Sequence, residues 1–327
     1  MVRVCVDVMG GDDAVDDVLA GIGLALDADP ALEVLAAGDA DVVVPFAEGR
    51  DRVEPLATTE VIGMGEHPAE AVRRKRDSSI VRGLAAVRAG DADGFFSAGS
   101  TGAVLAAATL GVGRVRGIMR PAITIPFPGL DGHETVLLDA GANADCRPEM
   151  LVQFAHMGSA YATAVLGVER PRVALLSNGT EDAKGSEAAI AAHEALAAAD
   201  GIEFAGNCEG NDILLGGHDV IVCDGFTGNV ALKSLEGTAK FIVSELKRLV
   251  RSSACATLGG LLLKPALSEL RERMSGDARG GAVLLGVKAP VFIGHGATSA
   301  EAVKNGALAV AEAVREDLVA RIAERVA

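Results

Sequence analysis

Short runs of β-branched residues alternate with longer alanine- and leucine-rich stretches along this 327-residue chain. That alternation predicts an α/β fold built on a mostly parallel sheet with helices on both faces. Composition agrees: hydrophobic residues make up 50 % of the chain, Trp is absent and Tyr occurs once. Small Ala, Val, Leu and Gly suit helices packed closely on a buried sheet. A third observation is that three apolar runs end in Gly, Ser, Thr or Asn turns leading into helical sequence, where open α/β sheets hold their ligands.

The strands are expected at Val2–Val8, Leu32–Ala37, Gly94–Phe96, Ala122–Ile125, Thr135–Leu138, Arg172–Leu176, Glu203–Gly206, Val220–Cys223 and Val291–Gly294, each a short apolar run bounded by turn residues. Helical patterns fill Val15–Leu26, Ala69–Val87, Thr101–Leu110, Pro148–Leu166, Ser186–Ala199, Gly228–Val250, Ala266–Arg273 and Ser299–Val326. No linker or low-complexity tract divides the chain, so residues 1–327 read as a single α/β domain with two coupled lobes around a cleft. Residues 254–281 are the most weakly patterned and read as an apolar, flexible insertion.

A formal charge of −15 disfavours nucleic acid as a partner, since phosphate backbones need a basic face. The five cysteines are scattered and include no C-x-x-C pair, so neither a zinc site nor a disulfide framework is indicated. The chain opens on strand-like sequence instead of a signal peptide, and no apolar run reaches the ~20 residues of a membrane span. A reducing cytosol is the expected compartment.

The densest chemistry lies in Leu175-Leu-Ser-Asn-Gly-Thr-Glu-Asp-Ala-Lys-Gly185. Backbone N–H groups at Gly179, the Thr180 hydroxyl, the Lys184 ammonium and a helix N-terminus starting near Lys184 together make an anion site. A lysine there opposes the helix macrodipole, which favours an anionic partner; Glu181 and Asp182 are the ordinary candidates for one. Ser97-Ala-Gly-Ser-Thr-Gly102 offers Ser100 and Thr101, and Cys223-Asp-Gly-Phe-Thr-Gly-Asn229 offers Asp224, Gly228 and Asn229. Their ordinary reading is helix capping and turn chemistry. The first strand ends Asp7-Val-Met-Gly-Gly-Asp12, where Gly10 and Gly11 allow close approach and Asp7, Asp12 and Asp13 can polarise a substrate group. His295, between glycines after a strand, is the best acid/base or oxyanion candidate; the other five histidines read as structural. Dinucleotide, nucleotide-hydrolase and hydrolase-elbow motifs are all missing.

Two surface features complete the reading. Arg73-Arg74-Lys75-Arg76 is a basic run in an acidic chain, either a solvated face or a docking patch for an acidic protein. The apolar stretch with Leu258, Leu261, Leu262 and Leu263 is rimmed by Arg248, Arg251 and Lys264. Contact with a membrane surface, a dimer seam and an acyl channel all fit it.

These pieces, with Glu60-Val-Ile-Gly-Met64, Arg120-Pro-Ala122, Leu138-Asp-Ala-Gly-Ala-Asn-Ala-Asp-Cys146, Gln153-Phe-Ala-His-Met-Gly158 and Leu284-Leu-Gly-Val287, occur in an order that resembles the bacterial phosphate acyltransferases of phospholipid synthesis. The resemblance spans nearly the whole chain. It implies a layered α/β/α, Rossmann-like fold similar to the isocitrate and isopropylmalate dehydrogenases, without a cofactor or metal. It implies transfer of a long fatty acyl group from acyl carrier protein to inorganic phosphate. It further implies a homodimer, cytoplasmic and peripherally attached to the inner face of the membrane, handing acyl phosphate to a glycerol-3-phosphate acyltransferase. On that reading Ser100, Thr101, Thr180, Lys184 and Asn229 hold phosphate, while Lys184 or His295 meets the oxyanion. The rivals are a phosphotransacetylase acting on acyl-coenzyme A, a decarboxylating dehydrogenase with Asp7, Asp12 and Asp224 on a metal, and a non-enzymatic scaffold for lipid synthesis.

Overall fold

The computed structural model describes residues 1–12, 15–274, 279–296 and 298–326, with backbone alone at 131 and 268–274. In chain order the elements are β1 (Val2–Asp7), α1 (Val15–Ala28), β2 (Leu32–Asp39), α2 (Ala40–Ala47), β3 (Val53–Thr58), α3 (Pro68–Arg74), α4 (Ser79–Ala89), β4 (Gly94–Ser97) and α5 (Thr101–Ala107). There follow β5 (Ala122–Pro128), β6 (Glu134–Leu138), α6 (Pro148–Ala164), β7 (Arg172–Leu176), α7 (Glu187–Ala197), β8 (Glu203–Cys208) and β9 (Val220–Val222). The chain ends with α8 (Gly225–Val250), α9 (Ala254–Met274), β10 (Ala282–Leu285), β11 (Val291–Ile293), α10 (Ala300–Arg315) and α11 (Leu318–Val326). All nine predicted strands form.

The strands make one sheet in the order β3-β2-β1-β4-β11-β10-β5-β6-β9-β7-β8. It is parallel except at its centre, where β10 runs antiparallel to β11 and β5, and β5 antiparallel to β6. Strand direction therefore reverses across the middle. The carboxyl ends of β1, β4 and β11 lie at one edge, and those of β6, β9 and β7 at the opposite edge.

Alternating side chains fill the two faces differently. On one face Val6, Phe96, Phe292, Leu138 and Val222 join a continuous core beneath α1, α6 and α10. On the other face the core is split. Cys5, Phe95, Ile293 and Ile123 pack with Ala103 and Val104 of α5, while Leu137, Leu176, Ile221 and Cys223 form a separate cluster against Ala231 and Leu235 of α8.

Several predicted boundaries shift for physical reasons. The helix expected over Ala69–Val87 breaks into α3 and α4 because Asp77 turns toward residues 59 and 60. Its Oδ2 accepts from Thr59 Oγ1 at 2.7 Å, and its N–H donates to Glu60 Oε2 at 3.0 Å. Ser78 then caps α4. The helix expected over Ser299–Val326 splits where Asp317 takes a positive φ of 49°. Helix α7 starts at Glu187 behind its Ser186 cap, so Lys184 stands before the helix. Residues 254–274 of the expected flexible insertion are helical. Edge strand β3 carries Pro55, which only an edge tolerates, and α2 carries Pro45; neither element announces itself in the sequence.

Two substitutions test this packing. A Cβ at Gly306 of α10 would lie 2.0 Å from the Phe96 ring. Gly306→Ala is expected to cost about 1–3 kcal/mol in urea denaturation despite alanine's helix propensity. Gly23→Ala in α1, which meets nothing within 4 Å, is expected to gain about 0.4–1 kcal/mol. Separately, the Thr59 hydrogen bond and the Arg82 guanidinium hold the Asp77 carboxyl below its ordinary value of 3.8. A lowered folded value adds stability above the unfolded value and loses it as pH falls through the folded one. The stability difference between the natural protein and Asp77→Asn is therefore expected to shrink below about pH 4.

Candidate functional site

At the edge where β1, β4 and β11 end, three turns interlock. Ser97 Oγ donates to Asp7 Oδ2 at 2.7 Å and accepts the Gly99 N–H at 3.0 Å. The Asp12 N–H donates to the Gly296 carbonyl at 2.9 Å. A Cβ at Gly10 would lie 2.8 Å from both Asp7 Oδ2 and the Gly99 nitrogen, so only glycine fits. Gly11 adopts a φ of 110°, the left-handed region that glycine enters freely. Asp7 is 1 % exposed. Burial pushes its carboxyl above the ordinary range, and hydrogen bonds from Ser79 and Ser97 pull it back. It braces the turns from behind. Ser100 stands at the N-cap of α5 with no side-chain cap bond, unlike the capping residues of α4, α7, α8 and α10. Thr101 and His295 are exposed beside it.

The opposite edge is organised by Asp139, which follows β6 and is fully buried. Its carboxylate accepts five N–H bonds: from Ile123, Gly141, Ala142 and Asn143 backbones and from Asn143 Nδ2, all between 2.7 and 3.1 Å. Burial nonetheless pushes its carboxyl upward. Helix α8 sits directly on this loop. A Cβ at Gly228 would fall 2.0 Å from the Asp139 carbonyl oxygen, and one at Gly225 would fall 2.6 Å from that of Asn143. Ala140 of the loop joins the α5 cluster, and Ala142 packs against it. The loop thus has α8 on one side and α5 on the other.

The predicted site residues divide between these edges. Asp7, Gly10, Gly11, Ser100, Thr101 and His295 belong to the first; Asp224, Gly228 and Asn229 belong to the second, with the Gly179–Lys184 turn beside them after β7. No hydrogen bond or ion pair among the described residues joins Ser100 or Thr101 to Thr180, Lys184 or Asn229. Along the sheet, six strand spacings separate β4 from β7, on the order of 29 Å. The turns form two walls at opposite edges of the sheet, not one cradle.

Individual roles shift accordingly. Gly228 serves close packing, and its N–H is taken by the Asp224 carbonyl at 2.9 Å. Asp224 caps α8, accepting from the Thr227 N–H and hydroxyl at 2.8 Å each. Asn229 is exposed above Gly141. Lys184 is exposed and makes no ion pair with Glu181 or Asp182 among the described residues, while its stem covers Gly179. Asp7 and Asp224 lie at opposite edges, so the metal-ligand trio of the dehydrogenase reading is not gathered. Asp13 lies outside the described residues. Asp139, Asn143 and Ser97 were not singled out in the sequence; their signal is polar residues directly after apolar strands.

The basic run is partly neutralised. Lys75 Nζ pairs with Glu66 at 2.6 Å and Arg74 pairs with the same carboxylate at 3.0 Å. Arg73 and Arg76 are exposed and make no ion pair among the described residues. A recess of about 410 Å³ lies against Arg73, Arg74, His67, Ala69 and Glu70. Residues Leu258, Leu261, Leu262 and Leu263 sit on α9 between 59 and 75 % exposed. Phe241, Ile242, Leu246 and Leu249 of α8 are exposed too. No helix among the described residues is long and apolar enough to cross a membrane.

Asp139→Ala strands five donors at once and is expected to lower stability by at least ~3 kcal/mol in urea denaturation. Asp139→Asn, which keeps one acceptor oxygen, is expected to lose less.

Comparison with known proteins gives the family and supports the fold. The family described as fatty acid synthesis protein matches residues 2–321. A phosphate acyltransferase from Levilactobacillus brevis is 48 % identical over 307 residues, covering 93 % of this chain and 89 % of the relative. Among solved structures, a phosphotransacetylase from Staphylococcus aureus superposes with a TM-score of 0.60 at 19 % identity, covering 96 % of this chain and 94 % of its own. A 4-hydroxythreonine-4-phosphate dehydrogenase from Klebsiella pneumoniae superposes at 0.50 with 14 % identity, covering 99 and 98 %. These two likenesses show the fold, a Rossmann-like layered α/β architecture shared with dehydrogenases. With the family match over nearly its whole length and that level of identity, the chain belongs to the phosphate acyltransferases.

Proposed function

We propose that the protein transfers a long-chain acyl group from acyl carrier protein to inorganic phosphate. Membership of the phosphate acyltransferases supports phosphate as the acceptor. The observation that carries the reading is that both walls present groups able to donate to an anion: α5 begins without a side-chain cap bond at Ser100, and Lys184 is exposed without an acidic partner among the described residues.

A phosphate oxygen attacks the thioester carbonyl, the C–S bond breaks, and the carrier thiolate leaves and is protonated. Inorganic phosphate is already a competent nucleophile at neutral pH, so positioning supplies most of the catalysis, at best roughly 7–11 kcal/mol. Ser100, Thr101 and the first N–H groups of α5 hold phosphate on one wall. Thr180, Lys184 and Asn229 make a second anion subsite on the other, and the oxyanion and departing thiolate meet Lys184 where phosphate sits there and His295 where it sits at the first. Burial argues against an acyl-cysteine: it pushes the Cys223 thiol well above its ordinary range and that of Cys146 to about 12.

Arg73 and Arg76 dock the acidic carrier, supported by Arg74 and Lys75 through Glu66. The apolar α8–α9 hairpin serves one of three ends, resting on the inner face of the membrane, joining a second copy of the chain or covering the acyl chain. At the membrane the acyl phosphate passes to a glycerol-3-phosphate acyltransferase.

Purified protein incubated with palmitoyl-acyl carrier protein and labelled phosphate is expected to release free carrier and form a labelled acyl phosphate that hydroxylamine traps. Lys184→Ala is expected to lower kcat/KM by about 10²–10³-fold with the fold intact. An unchanged rate removes Lys184 from the mechanism. Reaction with acyl-coenzyme A alone overturns the carrier-protein reading in favour of a phosphotransacetylase activity.

A further inference from the structure

We propose that Cys208, Asp212 and His218 form a binding site for one divalent cation of the zinc type. Cys208 ends β8, Asp212 lies in the 3-10 turn Gly210–Leu214, and His218 precedes β9. The Cys208 sulfur, an Asp212 carboxylate oxygen and an imidazole nitrogen of His218 all lie within 4.8 Å of one another. Tetrahedral zinc, with bonds of about 2.0–2.3 Å, needs such atoms roughly 3.3–3.8 Å apart. A shift on the order of 1 Å closes the set. Thiolate, imidazole and carboxylate are the donor mixture that suits zinc, and three protein ligands leave a fourth position for water.

Two further observations point to a ligand. Nδ1 of His218 is buried and has no hydrogen-bond partner. Asp212 is already oriented: its Oδ2 accepts the Glu209 N–H at 2.8 Å, and the Glu209 side chain accepts the Asp212 N–H in return. The backbone at His218 is likewise fixed, its carbonyl accepting from Thr135 Oγ1 at 2.9 Å. Such supporting bonds hold metal ligands in place. Cation binding breaks the Cys208 S–H bond, forms a sulfur–metal bond and releases the proton to water.

The site backs onto the Lys184 turn. The Ser177 N–H donates to the Cys208 carbonyl at 2.8 Å, and Asn207 Nδ2 donates to the Glu181 carbonyl at 2.8 Å. A bound cation therefore ties the β8–β9 crossover to the turn that presents Lys184, and acts as a structural clip.

The test is titration of tag-free, chelator-treated protein with Co²⁺, then displacement by Zn²⁺. One cobalt per chain is expected, with a thiolate-to-cobalt charge-transfer band and the visible bands of a tetrahedral site. Zinc is expected to raise Tm in the natural protein. Cys208→Ser and His218→Ala are each expected to abolish the band and weaken binding by at least about 100-fold, while Cys255→Ser, at the exposed cysteine, keeps both. His218 is only half-buried, so its variant tests the site even where Cys208→Ser fails to fold. Absence of a cobalt–thiolate band, or a band surviving His218→Ala, overturns the proposal. Both readouts are independent of acyl transfer.

Discussion

At the centre of the sheet, β10 hydrogen-bonds antiparallel to a strand on each side, and β5 repeats the reversal against β6. Every functional placement depends on those ladders. Parallel βαβ units put their turns at carboxyl ends, so a uniformly parallel sheet would line all the candidate turns along one edge. Two opposed half-sheets instead give two edges, two groups of turns and a divided core on one face. The two groups of turns make two chemically distinct walls. One wall offers backbone N–H groups at an uncapped helix start, and the other offers an exposed ammonium and an amide.

Each wall is built around a buried carboxylate that faces away from solvent. Asp7 and Asp139 gather the backbone N–H groups of their turns in the way a bound anion would, and the glycines at 10, 225 and 228 let neighbouring backbone close over them. Charge buried at this depth is tolerable only because the hydrogen-bond acceptors are saturated. Rigidity at these turns follows from that saturation, and it leaves the exposed groups, such as Asn229 above Gly141, on a fixed base.

Much of the fold was legible because buried strands write themselves as compact β-branched runs. The central reversal was not, since β10 offers only four residues and antiparallel pairing leaves no composition mark. Helix α9 lacked a readable stripe because Leu258, Leu261, Leu262 and Leu263 remain exposed instead of turning one face inward. The turns were found, but the packing role of their glycines was not legible. A glycine that lets an N–H meet an anion looks the same in sequence as Gly228, which lets helix α8 meet a carbonyl. The cluster of Cys208, Asp212 and His218 escaped because a rule that looks for paired cysteines does not see one cysteine joined to ligands four and ten residues later by a crossover.

The two outer strands have a consequence for self-association. At one end of the sheet Pro55 removes an N–H from β3. At the other, β8 pairs with β7 through a register shift near Gly206, whose φ is 90°. Both devices spoil an open edge as a template for another strand. Lateral growth of this sheet into a polymer by strand addition is disfavoured at each end.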